Sequence, residues 1–279
     1  MESLNSKKNG FFKKYGFWLI ICAFAAIYVA LMAIFTPLDY HITNELYNPQ
    51  LLFSKICEVT GPIFMPFFGI YAIVSLFFCV KIKRTVLKIA FYAALSLLYA
   101  YYFFMGSFTL KYSYLPALFV PAIVSYPIWT AFCTYLNKII IKNGLKCIHF
   151  KIALVTFFTV FAAMGGVDII KPICGRIRYN ELKGEYLPWY VIQSHLFNSS
   201  FPSGHAARSS LVLLFVLIPS YFQKKNTALK ICLYVLGFAF IALVSFSRML
   251  EGMHYPTDLL TGAAITLFTF FISKKLITG

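Results

Sequence analysis

Eight stretches of 17 to 23 mostly apolar residues recur along the chain, at about 17–36, 61–80, 89–107, 114–136, 152–170, 205–222, 231–247 and 257–273. Crossing the roughly 30 Å hydrocarbon core of a bilayer takes about 20 such residues in a helix rising 1.5 Å per residue. Only 12% of the 279 residues are charged and 60% are hydrophobic, against about 25% charged in a soluble domain. An ordinary soluble globule is excluded, and so is disorder, which needs low hydrophobicity. The expected fold is all-α, a polytopic membrane bundle of about eight transmembrane helices in a single domain spanning 1–279. The runs at 61–80 (Pro62, Pro66, Gly69) and 114–136 (Pro116, Pro121, Pro127) are the least regular. Both can span where packed neighbours satisfy the freed backbone groups. The first run follows Lys7, Lys8, Lys13 and Lys14 like a signal sequence. Its spanning length and the lack of a small-residue cleavage site favour a retained anchor.

Twenty-five Lys and Arg against nine Asp and Glu leave a formal charge of +16. In a soluble chain that excess points to nucleic acid; in a membrane protein it reports orientation, and no nucleic-acid partner is expected. With the N-terminus inside and eight crossings, the inner segments hold Lys7, Lys8, Lys13, Lys14, Lys81, Lys83, Arg84, Lys88, Lys138, Lys142, Lys146, Lys151, Lys224, Lys225, Lys230, Lys274 and Lys275, which is 17 of the 25. The outer side holds the other eight, Lys55, Lys111, Lys171, Arg176, Arg178, Lys183, Arg208 and Arg248. Every short inner loop is basic, as the positive-inside rule requires. Four of the five arginines nevertheless lie outside, between 176 and 248. A point charge suffices for orientation, whereas the planar guanidinium grips a phosphate through two parallel hydrogen bonds. Arginine gathered on the cation-poor face points to an anionic ligand there; the alternative is snorkelling to lipid headgroups.

Three segments on that face carry the chemistry. Lys171-Pro-Ile-Cys-Gly-Arg176-Ile-Arg178-Tyr179 ends the fifth span, and Phe201-Pro202-Ser203-Gly204-His205 opens the sixth. Ser247-Arg248-Met-Leu-Glu251-Gly-Met-His254-Tyr-Pro-Thr-Asp258 closes the seventh and opens the eighth. Where the loop becomes helix at Ser203-Gly204-His205, free backbone N–H groups and the helix dipole favour an anion, and Gly204 permits close approach. His254 and Asp258 are four apart, a spacing that lets the carboxylate reach the imidazole as an orienting partner. Taken singly, the second segment reads equally as an N-cap and the His–Asp pair as structural. The outer acidic residues Asp39, Glu45, Glu58, Asp168, Glu181, Glu185, Glu251 and Asp258 form no ligand cluster for Mg2+ or Zn2+, so no metal or cofactor is expected. Asp168 is expected to pair with Lys171, since an unpaired charge in a span costs roughly 2.5–3.5 kcal/mol or more.

The order Lys-x6-Arg, Pro-Ser-Gly-His, Ser-Arg-x5-His-x3-Asp over residues 171–258 resembles the type 2 phosphatidic acid phosphatase superfamily, which includes vanadium haloperoxidases. The resemblance implies a metal-independent lipid phosphatase with a phosphohistidine intermediate, its core at 151–275 behind N-terminal helices at 1–150. It implies that Lys171, Arg178 and Arg248 hold the phosphate with Ser203 and the Gly204 amide. His254 is then the nucleophile, Asp258 its orienter and His205 the acid that protonates the leaving oxygen. Tyr179 stands where the family has Pro, and eight spans exceed the six of its bacterial lipid phosphatases. Either two N-terminal helices are additions or one Pro-rich run does not span. Arg176 and Arg208 are extra cations, read as contacts to a second phosphate or a headgroup.

A site at headgroup depth suits a lipid phosphate: undecaprenyl pyrophosphate, phosphatidylglycerol phosphate, phosphatidate or lipid A. The stretch 180–200, with Leu187, Pro188, Trp189 and Tyr190, reads as an interfacial lid or as a passive loop. A phosphotransferase would use the same phosphohistidine, a haloperoxidase would hold vanadate, and a transporter would leave the His–Asp pair without a purpose. The composition, rich in Lys, Ile and Phe, hints at a bacterial cell membrane. Seven cysteines show no metal spacing, and only Cys57 and Cys174 fall in outer segments where a disulfide is conceivable. For the topology, a membrane-impermeant thiol reagent added outside is expected to label single cysteines introduced at 185 or 45 and to miss those at 142 or 226. Labelling at 142 would overturn it.

Overall fold

The computed structural model describes residues 2–111, 119–193, 199–222 and 226–278, with the side chains of 15–101, 125–193, 199–222 and 226–277. Inside hydrocarbon a helix satisfies every backbone polar group within its own segment, and the described residues form helices and loops. The helices are α1 (Glu2–Leu46), α2 (Leu52–Thr60), α3 (Phe64–Cys79), α4 (Thr85–Lys111), α5 (Phe119–Lys142), α6 (Lys146–Phe161), α7 (Val167–Cys174), α8 (Gly204–Ser209), α9 (Thr227–Leu250) and α10 (Pro256–Thr278). A π-helical turn at Ala162–Gly166 joins α6 to α7, and a 3₁₀ stretch at Ser210–Tyr221 continues α8.

Among the described residues, five helical runs are long and apolar enough to cross a membrane: Tyr15–Leu46, Leu52–Cys79, Lys146–Glu181, Thr227–Leu250 and Pro256–Ile277. They contain five of the eight expected spans. The run at 89–107 lies in α4, whose described apolar part, Thr85–Tyr101, is shorter. The run at 114–136 begins outside the described residues and continues in α5, with Pro127 inside the helix. The run at 205–222 is not one α-helix, because α8 gives way after six residues to twelve in 3₁₀ form. At about 1.5 and 2.0 Å per residue respectively, the two together rise about 33 Å. The hydroxyls of Ser209 and Ser210 both donate back to the Ala206 carbonyl (3.1 and 2.8 Å) where the helix tightens.

The core forms around α6. Ala153, Val155, Val160, Ala163 and Val167 on α6 and its continuation are fully buried, as are Ala207, Leu211 and Leu213 on α8 and its 3₁₀ extension. Helix α1 lies antiparallel along α10. Phe24 meets Phe268 edge-on with ring centroids 4.8 Å apart, the Tyr28 and Thr261 hydroxyls are 3.0 Å apart, and Asp39 reaches Thr257. A polar clamp ties the other end of the bundle. His149, fully buried, has Nδ1 2.6 Å from the Tyr221 hydroxyl and Nε2 2.7 Å from Asn137 Oδ1. All seven cysteines are free, so Cys57 and Cys174 form no disulfide.

One close approach joins the core to the motif segments. A Cβ on Gly262 of α10 would lie 2.1 Å from the Ser203 carbonyl oxygen, so only glycine allows α10 to seat against the turn bearing His205. Gly262→Ala is expected to destabilise the fold by about 1–3 kcal/mol. A thermal unfolding midpoint in detergent equal to wild type would show that the two elements do not meet.

Candidate active site

The three motif segments are tied pairwise by backbone hydrogen bonds. The Ser200 amide donates to the Arg176 carbonyl (2.7 Å), the Ser203 amide to the Asp258 carbonyl (2.9 Å), and the Asn180 amide to the Gly252 carbonyl (3.1 Å). Left-handed glycines make the turns: Gly175 (φ 57°) ends α7, and Gly252 (φ 64°) lets the chain turn between α9 and α10. A side chain at Gly252 would strike Tyr47 and Tyr179.

His205 and His254 face each other with ring centroids 6.4 Å apart. His254 is buried, and its Nδ1 donates to the Ser200 carbonyl at 2.8 Å, which leaves Nε2 with the lone pair. Burial, reinforced by the charge of Lys171, holds its pKa down to about 4, against the opposing pull of Asp258. The ring is therefore neutral at physiological pH. Lys171 and Arg178 both stand close enough to act on its charge. Arg248 Nη1 lies 3.4 Å from His205 Nε2. Guanidinium only donates, so that ring nitrogen accepts.

Asp258 departs from the expected arrangement. Its Oδ2 lies 3.8 Å from His254 Nδ1, beyond hydrogen-bond length. It accepts instead from the Ser200 hydroxyl and the Tyr255 amide, both at 2.8 Å. The four-residue spacing misled because His254 precedes α10, which starts at Pro256, and helical side-chain geometry does not extend there. Asp258 thus acts on His254 through its field and through Ser200, which bonds to both.

Two cations also differ from expectation. Lys171 does not pair with Asp168; its Nζ donates to the Ser199 carbonyl at 2.6 Å. Asp168 faces Arg208 at 3.7 Å, one turn beyond Gly204, where a Cβ would meet the Arg208 guanidinium at 3.7 Å and Lys171 Cε at 3.9 Å. The Nε atoms of Arg178 and Arg208 are buried without a protein acceptor, donors that suit an anionic oxygen. Ser203 caps α8, its hydroxyl accepting from the Ala206 amide at 3.3 Å. Arg248 pairs with Glu251 and lies 3.9 Å from Glu58, partners the sequence reading did not assign.

Arg176, expected to contact a second phosphate or a headgroup, is instead tied to two acids. It is fully buried, donating to Asp258 Oδ1 at 2.6 Å and to Asp39 Oδ2 at 2.9 Å. The Tyr255 and Tyr186 rings cover it at 4.1 and 5.4 Å. Asp39, on α1, also accepts from the amide and hydroxyl of Thr257. The departure at Tyr179 has a use in the same place: its hydroxyl donates to Asn44 of α1 at 2.7 Å, and its ring packs on Tyr40 and Tyr47. The loop at 180–200, of which 194–198 lie outside the described residues, docks on α1 through Trp189, which donates to Thr36 (3.0 Å) and stacks on Phe201. The sequence carries no signal for this network, since Asp39 follows the first apolar run and reads only as one of the outer acids. Removing one member of a buried ion pair costs about 3–5 kcal/mol. Asp39→Ala is expected to lose that much unfolding free energy in detergent and Asp39→Asn less; an unchanged midpoint for Asp39→Ala would contradict the pairing.

Comparison with known proteins finds a family and three relatives. The family model described as PAP2 superfamily matches residues 152–278. The chain is similar to a lipid A 4'-phosphatase of Bacteroides thetaiotaomicron, 28% identical over 57% of this chain and 70% of the relative. It is similar to an undecaprenyl-diphosphatase of Sulfolobus acidocaldarius, 26% identical over 45% of the chain and 54% of the relative. A phosphatidylglycerophosphatase B of Bacillus subtilis is 32% identical over 29% of the chain and 40% of the relative. No solved structure gives a significant match. The apolar helices and these relatives together fit a membrane lipid phosphatase. The C-terminal half of the chain, residues 152–278, is thus similar to the PAP2 superfamily.

Proposed function

We propose that the chain hydrolyses a phosphate ester or anhydride of a membrane lipid on the extracytoplasmic face of the cell membrane, through a phosphohistidine at His254. The observation that carries this reading is the facing pair of imidazoles 6.4 Å apart with Lys171, Arg178 and Arg248 around them. Phosphoryl transfer needs mainly positioning and neutralisation of charge on the equatorial oxygens, and cationic side chains supply that here without a metal. The inner loops' lysines support the assignment of face.

In this mechanism, the phosphate lies between the rings, held by Lys171, Arg178, Arg248, the Ser203 hydroxyl and the Gly204 amide. The neutral His254 attacks phosphorus through Nε2, forming the N–P bond as the bond to the leaving oxygen breaks. Asp258 stabilises the imidazolium that develops, and the Ser200 carbonyl keeps its Nδ1 proton in place. A bound phosphate draws the Arg248 guanidinium onto itself and frees His205 Nε2 to take up a proton from solvent, which it passes to the leaving oxygen as the P–O bond breaks. Water then attacks the phosphohistidine, giving its proton to His205, and inorganic phosphate departs. An apolar groove of about 660 Å3 between α1 and the 186–190 loop, beside Met32 and Trp189, offers a path for a hydrocarbon tail.

The test is phosphate release by purified protein from a panel of lipid phosphates, which separates hydrolysis from transfer to another acceptor. Activity is expected to survive EDTA and to be inhibited by vanadate. His254→Ala is expected to abolish turnover and the phosphoenzyme. His205→Ala is expected to slow a lipid monoester roughly 10²–10⁴-fold and p-nitrophenyl phosphate much less, because that leaving group needs little protonation. Since neutral His254 is the active form, kcat/KM is expected to stay high as pH falls from 6.5 and to drop only toward pH 4. Near-native turnover in both histidine variants would refute the site.

A further inference from the structure

Arg248 is one of the three cations that the mechanism gives to the phosphate, yet its guanidinium is engaged by acceptors of the protein itself. It lies in the last turn of α9 with only 1% of its side chain exposed. Nη2 donates to Glu251 Oε2. Nη1 lies 3.4 Å from His205 Nε2 and 3.9 Å from Glu58 Oε1. The two carboxylates offer more acceptors than these contacts use. Glu251 Oε1 and Glu58 Oε2 are buried without a hydrogen-bond partner, which is unfavourable for an oxygen that only accepts.

Glu58 reaches this place from outside residues 152–278, the region that the family model matches. It belongs to α2, whose end packs on α9 and on the turn bearing His205. A Cβ at Gly61 would lie 2.9 Å from the Val244 side chain and 3.5 Å from the His205 ring. Glu58 and Gly61 are three residues apart and share one face of that helix end. Glu251 arrives from the turn that follows α9, three residues after Arg248. The guanidinium is therefore flanked by two carboxylates and by the histidine to which the mechanism gives protonation of the leaving oxygen.

A phosphate and these acids need the same donors. Guanidinium grips a phosphate through two parallel N–H groups, so a shift of Arg248 onto phosphate oxygens takes Nη2 from Glu251. That carboxylate is only 6% exposed, and a buried ion that has given up its partner favours the partner's return. We propose that Glu251 and Glu58 are positioning residues that compete with phosphate for Arg248. They set the guanidinium against His205 before substrate binds, and they draw it back once inorganic phosphate has formed, so that the product leaves. The inference rests on the phosphatase reading and extends it to product release. It also gives α2, a helix of the N-terminal half, a part in the reaction.

The experiment measures the dissociation constant of inorganic phosphate by titration calorimetry on the full-length protein in detergent, and inhibition of lipid phosphate turnover by added phosphate. Glu251→Gln is expected to bind phosphate about 10- to 100-fold more tightly than wild type, since one charge-assisted hydrogen bond no longer competes for Arg248. Product inhibition is expected to strengthen by the same factor. Glu58→Gln is expected to show a smaller gain in the same direction and serves if Glu251→Gln does not fold. Acids that only supported the fold would do the opposite, because their loss would loosen the phosphate site. Against an Arg248→Met background, Glu251→Gln is expected to leave phosphate affinity unchanged. A gain of the same size there would be a general effect of charge and would overturn the inference. Phosphate affinity equal to or below wild type in both single variants overturns it too, and leaves the phosphatase reading intact in a protein that releases phosphate from lipids. Tighter binding in Glu251→Gln, in a protein that hydrolyses no lipid phosphate, keeps the competition for Arg248 and overturns the phosphatase reading together with the release step.

Discussion

Arg176 lies where α1, the first motif and α10 converge, and a fully buried guanidinium survives there because Asp39 and Asp258 meet it from opposite sides. Each ion alone would carry a desolvation cost of several kcal/mol. Together, under the rings of Tyr186 and Tyr255, they form a compact polar knot. Everything functional hangs from that knot. Asp258 reaches Ser200, Ser200 reaches His254, and the Ser203 amide returns to the Asp258 carbonyl. Displacing the guanidinium would disturb both ends of the histidine pair at once.

Helix α1 contributes half of this neutralisation although it precedes the region matched by the family. It supplies Asp39, the partner of Tyr179 and the dock for Trp189. The division drawn from sequence, with N-terminal helices on one side and a self-contained core on the other, therefore understates the dependence of the second on the first. The long reach of α1 along α10, fixed by Phe24–Phe268 and Tyr28–Thr261, places Asp39 at the depth where Thr257 begins the last helix.

What the sequence disclosed depended on how local the physics was. Apolar run length announced helices because hydrocarbon leaves the backbone no alternative. The three motif segments were legible because their order resembles that of a phosphatase family, and the fold brings them together. Pairings across the fold were not. Arg176 looked like another phosphate cation, since its type says nothing of acids 137 and 82 residues away. Asp168 was assigned to Lys171, its neighbour by one turn, while in space Arg208 stands nearer. The span at 205–222 looked like any other because hydropathy does not register the change to 3₁₀ winding.

The bond from His254 to the Ser200 carbonyl has an evolutionary consequence. A carbonyl belongs to every residue, so no single codon change can delete this acceptor. The tautomer of His254 is thereby sheltered from mutational drift at position 200, where loss of the hydroxyl would touch Asp258 but leave the imidazole's proton anchored. Selection is then free to retune the acidic side of the site while the His254 ring keeps its orientation.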